Sequence, residues 1–199
     1  HNTVFYGGNK FFMSKDRGDS WTELSGDLTN NEKRDEKPIF GKTAKEFMSR
    51  NDGVVHWGTA TTIAQSPLRA DVLWFGADDG NLHVTQDMGK TWTKLTDKVP
   101  GVPKGASVSR VEPSRTSAGA AYVTFDGHRA DDFKPYVFFT PDFGATWKNI
   151  TGNLPEGGTV SVVREHPKNP DALFVGTEMG LWTSFNRGGS WLKVKSGLP

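Results

Sequence analysis

Apolar residues along this chain come in bursts of four to seven, separated by glycine, proline, asparagine and aspartate. Such runs, rich in β-branched and aromatic residues and bounded by turn formers, predict antiparallel strands. The last unit shows the pattern in full. TVSVVREHP is followed by the turn KNPD, then by ALFVGTEMG, LWTSF and WLKV. A second unit reads TTIAQSP, VLWFGADDG, LHVTQ and WTKLT, and a third SVSRVEP, AAYVTFDG, YVFFTP and WKNIT. The opening unit, TVFYGGNKFFMSKDRGDSWTELS, holds only the last three strands of the pattern. The prediction is fifteen strands in four units, and only GKTAKEFMSR (41–50) offers a helix-period alternative.

One eight-residue box joins the last two strands of every unit: SKDRGDSW, TQDMGKTW, TPDFGATW and SFNRGGSW. Its hydroxyl is Ser14, Thr85, Thr140 or Ser184, and its acid is Asp16, Asp87 or Asp142, replaced by Asn186 in the fourth. Its glycine is Gly18, Gly89, Gly144 or Gly188, and its indole Trp21, Trp92, Trp147 or Trp191. Self-similarity on this scale governs the architecture. The carboxylate can accept from a backbone N–H two residues on, the hydroxyl can tie down a neighbouring backbone group, and the glycine can take positive φ. The indole can cover the seam between units. Asn186 still offers an amide oxygen, so its box is expected to fold without the charge. These duties are structural.

Composition narrows the partners. Lys and Arg number 24 against 23 Asp and Glu, and a net charge of +1 gives no general pull on nucleic acid or anionic lipid. No run approaches ~18 apolar residues, so membrane insertion is not expected. With no cysteine, disulfides and thiolate metal sites are ruled out. The N-terminus has no basic stretch followed by an apolar run, hence no visible signal peptide.

Repeated in this way, the box resembles the Asp-box, or BNR repeat, of sialidases, xyloglucan-cleaving glycoside hydrolases, photosystem assembly factors and the sortilin (VPS10) ectodomain. That resemblance covers essentially the whole chain and implies an all-β fold, a β-propeller of four-stranded antiparallel blades. DLTNNEKR (27–34), IAQSPLRADVLWFGADDGNLHVTQD (63–87), AYVTFDGHRADDFKPYVF (121–138) and VVREHPKNPDALFVGTEMGLWTSF (162–185) are similar to segments of large bacterial proteins of the glycosyl-hydrolase-like or sortilin-N-terminal-like kind. The chain then reads as one propeller segment, with blades at about 1–28 (incomplete), 59–97, 105–152 and 158–196 and an insertion at 29–58. The same resemblance implies a larger parent propeller and a secreted or periplasmic setting. Exposed sheet edges add self-association, or contact with the remainder of a longer propeller, to the expectations.

In propellers the binding face is built from the loops joining second to third strands and those joining blade to blade. Here that face gathers Asp78, Asp79, Asp126, His128, Arg129, Asp131, Asp132 and Glu178, with His56 and Trp57 just before the second blade. Long charged loops tend to carry function, which marks Asp126, His128, Arg129, Asp131, Asp132, His56 and Trp57 as binding candidates. A glycoside hydrolase needs two carboxyls across a cleft, ~5–5.5 Å apart for retention or ~6.5–9.5 Å for inversion. Asp78, Asp79, Asp131, Asp132 and Glu178 are the candidates for that pair. A sialidase would need an arginine trio and a tyrosine, for which the chain offers Arg50, Arg129 and Arg164 with Tyr6, Tyr122 and Tyr136. Asp126, His128, Asp131 and Asp132 can also be read as an oxygen-rich cation site, or as a loop in which Arg129 pairs with Asp131 or Asp132. No established metal spacing is present, and neither metal nor cofactor is expected. Because every repeated motif is structural, the leading expectation is a protein- or glycan-binding module without independent catalysis. The alternative is a xyloglucanase- or sialidase-like glycoside hydrolase, since a fold does not by itself fix a function.

Overall fold

The computed structural model describes residues 2–33, 36, 41–42, 46 and 58–195. Its described strands form four antiparallel sheets in which each strand pairs with its neighbours in sequence. The first sheet holds β1 (Val4–Gly7), β2 (Phe11–Ser14) and β3 (Thr22–Glu23). The second holds β4 (Ala60–Gln65), β5 (Leu73–Ala77), β6 (Leu82–Thr85) and β7 (Thr93–Lys94). The third holds β8 (Ser107–Pro113), β9 (Ala121–Gly127), β10 (Asp132–Thr140) and β11 (Lys148–Asn149), and the fourth β12 (Val160–His166), β13 (Asn169–Thr177), β14 (Gly180–Ser184) and β15 (Leu192–Lys193). These are the fifteen strands read from the pattern, arranged as propeller blades. Most of the long 29–58 insertion, the 41–50 helix alternative and both His56 and Trp57 lie outside the described residues.

The sheets stack face to face, and stacking explains the burial. Every residue of β5 and β6 is buried, because the second sheet has a neighbour on both sides. Strand β1 alternates between exposed and half-buried instead, since among the described residues its sheet has a neighbour on one side only. Three apolar cores follow, one per seam: Phe11 and Leu28 against Leu73 and Phe75, then Trp74, Leu82 and Leu95 against Val108, Val123 and Phe138, then Tyr122, Val137 and Ile150 against Val160, Leu173 and Trp191. Innermost strands add direct cross-blade bonds, with the Thr61 hydroxyl donating to Val108 O and the Ser109 hydroxyl to Val160 O. Outermost strands β3, β7, β11 and β15 are only two residues long and exposed, which leaves little edge to recruit another strand.

Each box is a closed hydrogen-bond ring. Its first hydroxyl accepts the glycine N–H four residues on, at 2.7 Å for Ser14, 2.9 Å for Thr85 and Thr140, and 2.9 Å for Ser184. The same hydroxyl donates to the acid at the third position. That acid holds the backbone N–H four residues on, from Ser20, Thr91 or Thr146, and accepts the hydroxyl of the same residue with its other oxygen. The reach is four residues rather than the two expected from a simple Asx turn, because the intervening positions turn back through left-handed conformation. Both the glycine and the residue before it adopt positive φ, the latter being Arg17, Met88, Phe143 and Arg187. The N–H of that residue bonds the carbonyl of Asn2, Asp71, Gly119 or Asp171 respectively, near the start of β1, β5, β9 or β13, which helps to offset the cost of a side chain in that conformation.

The fourth box keeps the ring with a reversed bond. Asn186 Oδ1 accepts the Ser190 N–H at 2.9 Å, while its Nδ2 donates to the Ser190 hydroxyl at 3.0 Å. In the charged boxes the hydrogen bonds favour the ionised carboxylate and lower its pKa. The Ser20 hydroxyl and N–H, with Ser14, hold Asp16 down to about 2, and Thr91 with Thr85 does the same to Asp87. Burial works against Asp142, yet the Thr146 and Thr140 bonds still leave it below the usual carboxylate value.

The box glycines and tryptophans also set the seams. The Cα of Gly89 lies on Leu24, that of Gly144 on Leu95 and that of Gly188 on Ile150, each the residue just after the previous blade's outermost strand. Trp92 Nε1 donates to Leu24 O at 3.0 Å, and Trp191 Nε1 to Ile150 O at 2.9 Å. Trp147 packs in its seam but turns its Nε1 to Gly144 O of its own box. Among the described residues no other blade lies against Trp21, which is 45% exposed. The expected seam-covering role therefore holds for three of the four indoles.

Candidate functional site: the loop face

The turn between β5 and β6 carries Asp78 and Asp79, only 5% and 8% exposed. Asp78 Oδ1 accepts the Thr59 N–H at 2.9 Å, and the Asp78 N–H returns a bond to Thr59 O. Asp79 Oδ2 accepts the Asn30 N–H at 2.7 Å, and its Oδ1 takes the N–H and side-chain amide of Asn81. Together they fasten both ends of the long first-to-second-blade connection to the loop face. Glu178 stands at the corresponding turn of the fourth blade and is exposed; its carboxylate accepts the Thr159 hydroxyl at 3.3 Å, where Asp78 accepts a backbone N–H, and its own N–H bonds Thr159 O.

The long third-blade loop is internally bonded. Asp126 accepts the His128 N–H at 2.9 Å and lies 2.7 Å from His128 Nδ1. Asp131 takes the left-handed conformation that closes the short 3-10 turn His128–Ala130. Asp132 accepts the Lys134 N–H and the Tyr136 hydroxyl, the latter at 2.6 Å, and that hydroxyl above all holds its pKa below the usual carboxylate value. Burial, followed by the Asp132 carboxylate, pushes Tyr136 up to about 12. Arg129 does not pair with Asp131 or Asp132 as one reading anticipated. It leans across the seam to Asp78, with Nη1 3.9 Å from Oδ2, because its strand-end loop overhangs the second blade. Among the described residues no group of three or more acidic or histidine side chains is close enough to hold a metal.

The loops of the first three blades enclose a cavity of about 370 Å³. Asn30 and Glu32 line it from the first connection, Asp79 and Asn81 from the β5–β6 turn, Lys94 from the end of β7, and Thr96, Asp97 and Lys104 from the second connection. A crevice of about 20 Å³ beside it shares Lys104 and Gly105 and is bordered by Asp126 and Arg129. So Asp79 lines the cavity and Asp78, Asp126 and Arg129 adjoin it, whereas Glu178 belongs to another blade. Lys94, Asp97 and Lys104 were missed in the sequence because the candidates were drawn from the second-to-third-strand turns and the long insertion. The available signal was that Asp97 and Lys104 lie in a blade-to-blade connection, with Lys94 at the end of the strand leading into it. Next to the cavity, buried His83 is pushed down to about 4 by burial and by Lys94, against opposing pulls from the Leu28 carbonyl and Asp79.

Of the three arginines that a sialidase reading would use, Arg50 lies outside the described residues, Arg129 leans on Asp78, and Arg164 pairs with Glu112 on the innermost strands. Tyr122 is buried, with its hydroxyl 3.4 Å from Glu165.

No family model matches the chain. It is 27% identical over 142 residues to a "Probable oligoxyloglucan-reducing end-specific xyloglucanase" of Neosartorya fischeri, covering 71% of this chain and 14% of that protein. It is also 27% identical over 143 residues to an oligoxyloglucan-reducing end-specific xyloglucanase of Emericella nidulans, covering 69% of this chain and 17% of that protein. Among solved structures it superposes on an ancestral GH74 enzyme with TM-score 0.67 at 16% identity, over 98% of this chain and 22% of that one. The GH74 xyloglucanase of Xanthomonas campestris matches with TM-score 0.66 at 16% identity, over 98% and 28%. The fold is thus a β-propeller of the glycosyl-hydrolase-like kind. More narrowly, its similarity is to xyloglucan-cleaving enzymes, of which it spans less than a third of the length.

Proposed function

We propose that the chain supplies blades to a glycoside-hydrolase-type propeller, and that its loop face takes a hydroxyl-rich polysaccharide such as a xyloglucan in the cavity between the first three sheets. The observation that carries this is the lining itself. Amide, ammonium, hydroxyl and carboxylate groups from Asn30, Asn81, Lys94, Thr96, Asp97 and Lys104 offer donors and acceptors in mixture, as sugar hydroxyls require. The likeness to xyloglucanases supports the substrate class. In the hydrolytic form of this reading, one of Glu32, Asp79 and Asp97 acts as general acid and another as base or nucleophile. The four boxes are Asp-box repeats on this view, and the larger protein is sortilin-N-terminal-like in its blades. A polysaccharide substrate is met outside the cytoplasm, which supports a secreted or periplasmic setting.

A second reading, glycan binding without catalysis, is favoured by one observation: Asp78, Asp79 and Asp132 already hold backbone or side-chain donors of this chain. Incubation with xyloglucan oligosaccharides, followed by product analysis and calorimetry, separates the two. Turnover that disappears in Asp97→Asn or Asp79→Asn supports hydrolysis. Binding without turnover, weakened in Lys104→Ala, supports the binding module. Neither binding nor turnover sinks both.

A further inference from the structure

Strands β4, β8 and β12 are the innermost of their sheets, and a second cavity, of about 400 Å³, opens beside them at the end that carries the first-to-second-strand turns. Half of its lining comes from the third blade, which has a described blade on each side. The cavity therefore sits between neighbouring blades, away from both end faces of the stack. It shares no lining residue with the loop-face cavity. Three guanidiniums line it: Arg110 on β8, Arg115 in the turn after that strand, and Arg164 on β12. Among the described residues the lining sets one carboxylate against them, Glu112. Two positive charges are left over.

Glu112 is already engaged. It is buried, and its Oε2 accepts Arg164 Nη1 in an ion pair that ties the third blade to the fourth. Arg110 Nη2 reaches the same oxygen only at 3.9 Å, too far for a hydrogen bond, and the buried Arg110 Nε has no partner. Glu165 offers no relief, because its buried carboxylate accepts the Ser114 hydroxyl and the Arg115 backbone N–H. Burial and then the Arg164 charge hold Arg110 below the usual arginine pKa, with Glu112 opposing them only in part. An ion-pair clamp between blades needs one guanidinium and one carboxylate. Further guanidiniums crowded around the same carboxylate repel one another unless a second anion joins them.

We propose that this cavity binds a divalent oxyanion, a phosphate or sulfate group, between the guanidiniums of Arg110, Arg115 and Arg164. The planar fork of a guanidinium meets two oxygens of such a group at once. Two negative charges neutralise the two positive ones that Glu112 leaves over, whereas a single carboxylate would balance only half of the excess. The group can be a free ion or the phosphate of a small organic ester, since both present the same oxygens. This site is independent of the polysaccharide reading and draws on none of its residues.

Calorimetric titration at constant ionic strength tests this with inorganic phosphate, sulfate and glycerol phosphate as ligands and chloride as the control. Saturable binding of one equivalent of phosphate or sulfate, absent with chloride, is expected. Tighter binding of glycerol phosphate than of the free ion identifies an ester as the source, and equal or weaker binding identifies the ion. Arg115→Gln, at an exposed position, should weaken phosphate binding at least about tenfold. Glu112→Gln removes the competing charge and should tighten it, a change of opposite sign that a merely structural role would not produce. Melts without ligand confirm that both variants fold, and if Glu112→Gln does not, Arg115→Gln alone decides. No binding beyond that of chloride overturns the proposal. Phosphate binding that is unchanged in Arg115→Gln shows an adventitious ion only and overturns it equally, as does weaker binding in a folded Glu112→Gln.

Discussion

The two faces of this stack are built on opposite plans. On the box face four hairpins share one hydrogen-bond ring, and even the Asn186 substitution leaves that ring closed by reversing a single bond. On the loop face no two blades are alike. The second blade clamps a connection with Asp78 and Asp79, the third extends a charged loop, and the fourth keeps a short turn around Glu178. Repetition accompanies closure, and variation accompanies unfilled space: the cavity of about 370 Å³ lies on the face that varies. A scaffold that satisfies its polar groups locally on one side frees the other side to differ.

The sharpest way to break the comparison is to place the same substitution on both faces. Gly89 has φ +86, and an added Cβ would lie 2.6 Å from Leu24 O, so Gly89→Ala combines left-handed strain with backbone overlap across a seam. A loss on the order of 3 kcal/mol or more is expected. Gly157, with a similar φ of +89 but nothing within 4 Å, should lose only about 1 kcal/mol in Gly157→Ala. Urea titrations of both variants measure the difference, and equal losses would mean that seam contact adds nothing to the cost of the turn.

The contrast also explains what could be read without coordinates. Strand runs such as VLWFG and LHVT gave the sheets because apolar β-branched and aromatic residues buried on both faces leave an unmistakable pattern. The boxes were legible for the same reason, local spacing, although the left-handed residues Arg17, Met88, Phe143 and Arg187 were not, since their tolerance rests on a carbonyl many positions away. Nor was the cavity legible. Asp79, Asp97 and Lys104 are brought together by connections from different blades, and nothing local in any of them signals the others. The Arg129–Asp78 approach across a seam escaped notice on the same grounds.

Acidification should affect the loop face before the box face. Buried His83, held near 4 against an ordinary value of 6.5, is neutral in the folded chain where the unfolded chain takes up a proton. Its contribution is therefore intact above 6.5 and declines as pH falls toward 4, by up to about 3 kcal/mol across that window. Lys94 and Asp79 face it from the neighbouring strand and turn. Melting temperatures of the parent chain and His83→Gln, recorded from neutral pH down to 4, measure the effect. A parent whose curve runs parallel to the variant's would remove His83 as the cause.

The smallest expected effect is on the boxes, and it probes what their charge is for. Asp87 is held at about 2 by Thr91 and Thr85 against an ordinary 3.8, so its bonds favour the folded chain above 3.8 and that advantage fades as pH falls toward 2. Asn186 performs the same closure with an amide oxygen and a donated N–H, and it does not titrate. Asp87→Asn should consequently fold at neutral pH with a melting temperature close to the parent's, and should resist acid better between 3.8 and 2. Asp87→Ala, which leaves the Thr91 N–H and both hydroxyls without their acceptor, should be the less stable variant at neutral pH. Melts of the two variants side by side decide the matter: if Asn proves no better than Ala, the ring needs a full negative charge, and the fourth box must be held in shape by Trp191 and its seam instead of by its own hydrogen bonds.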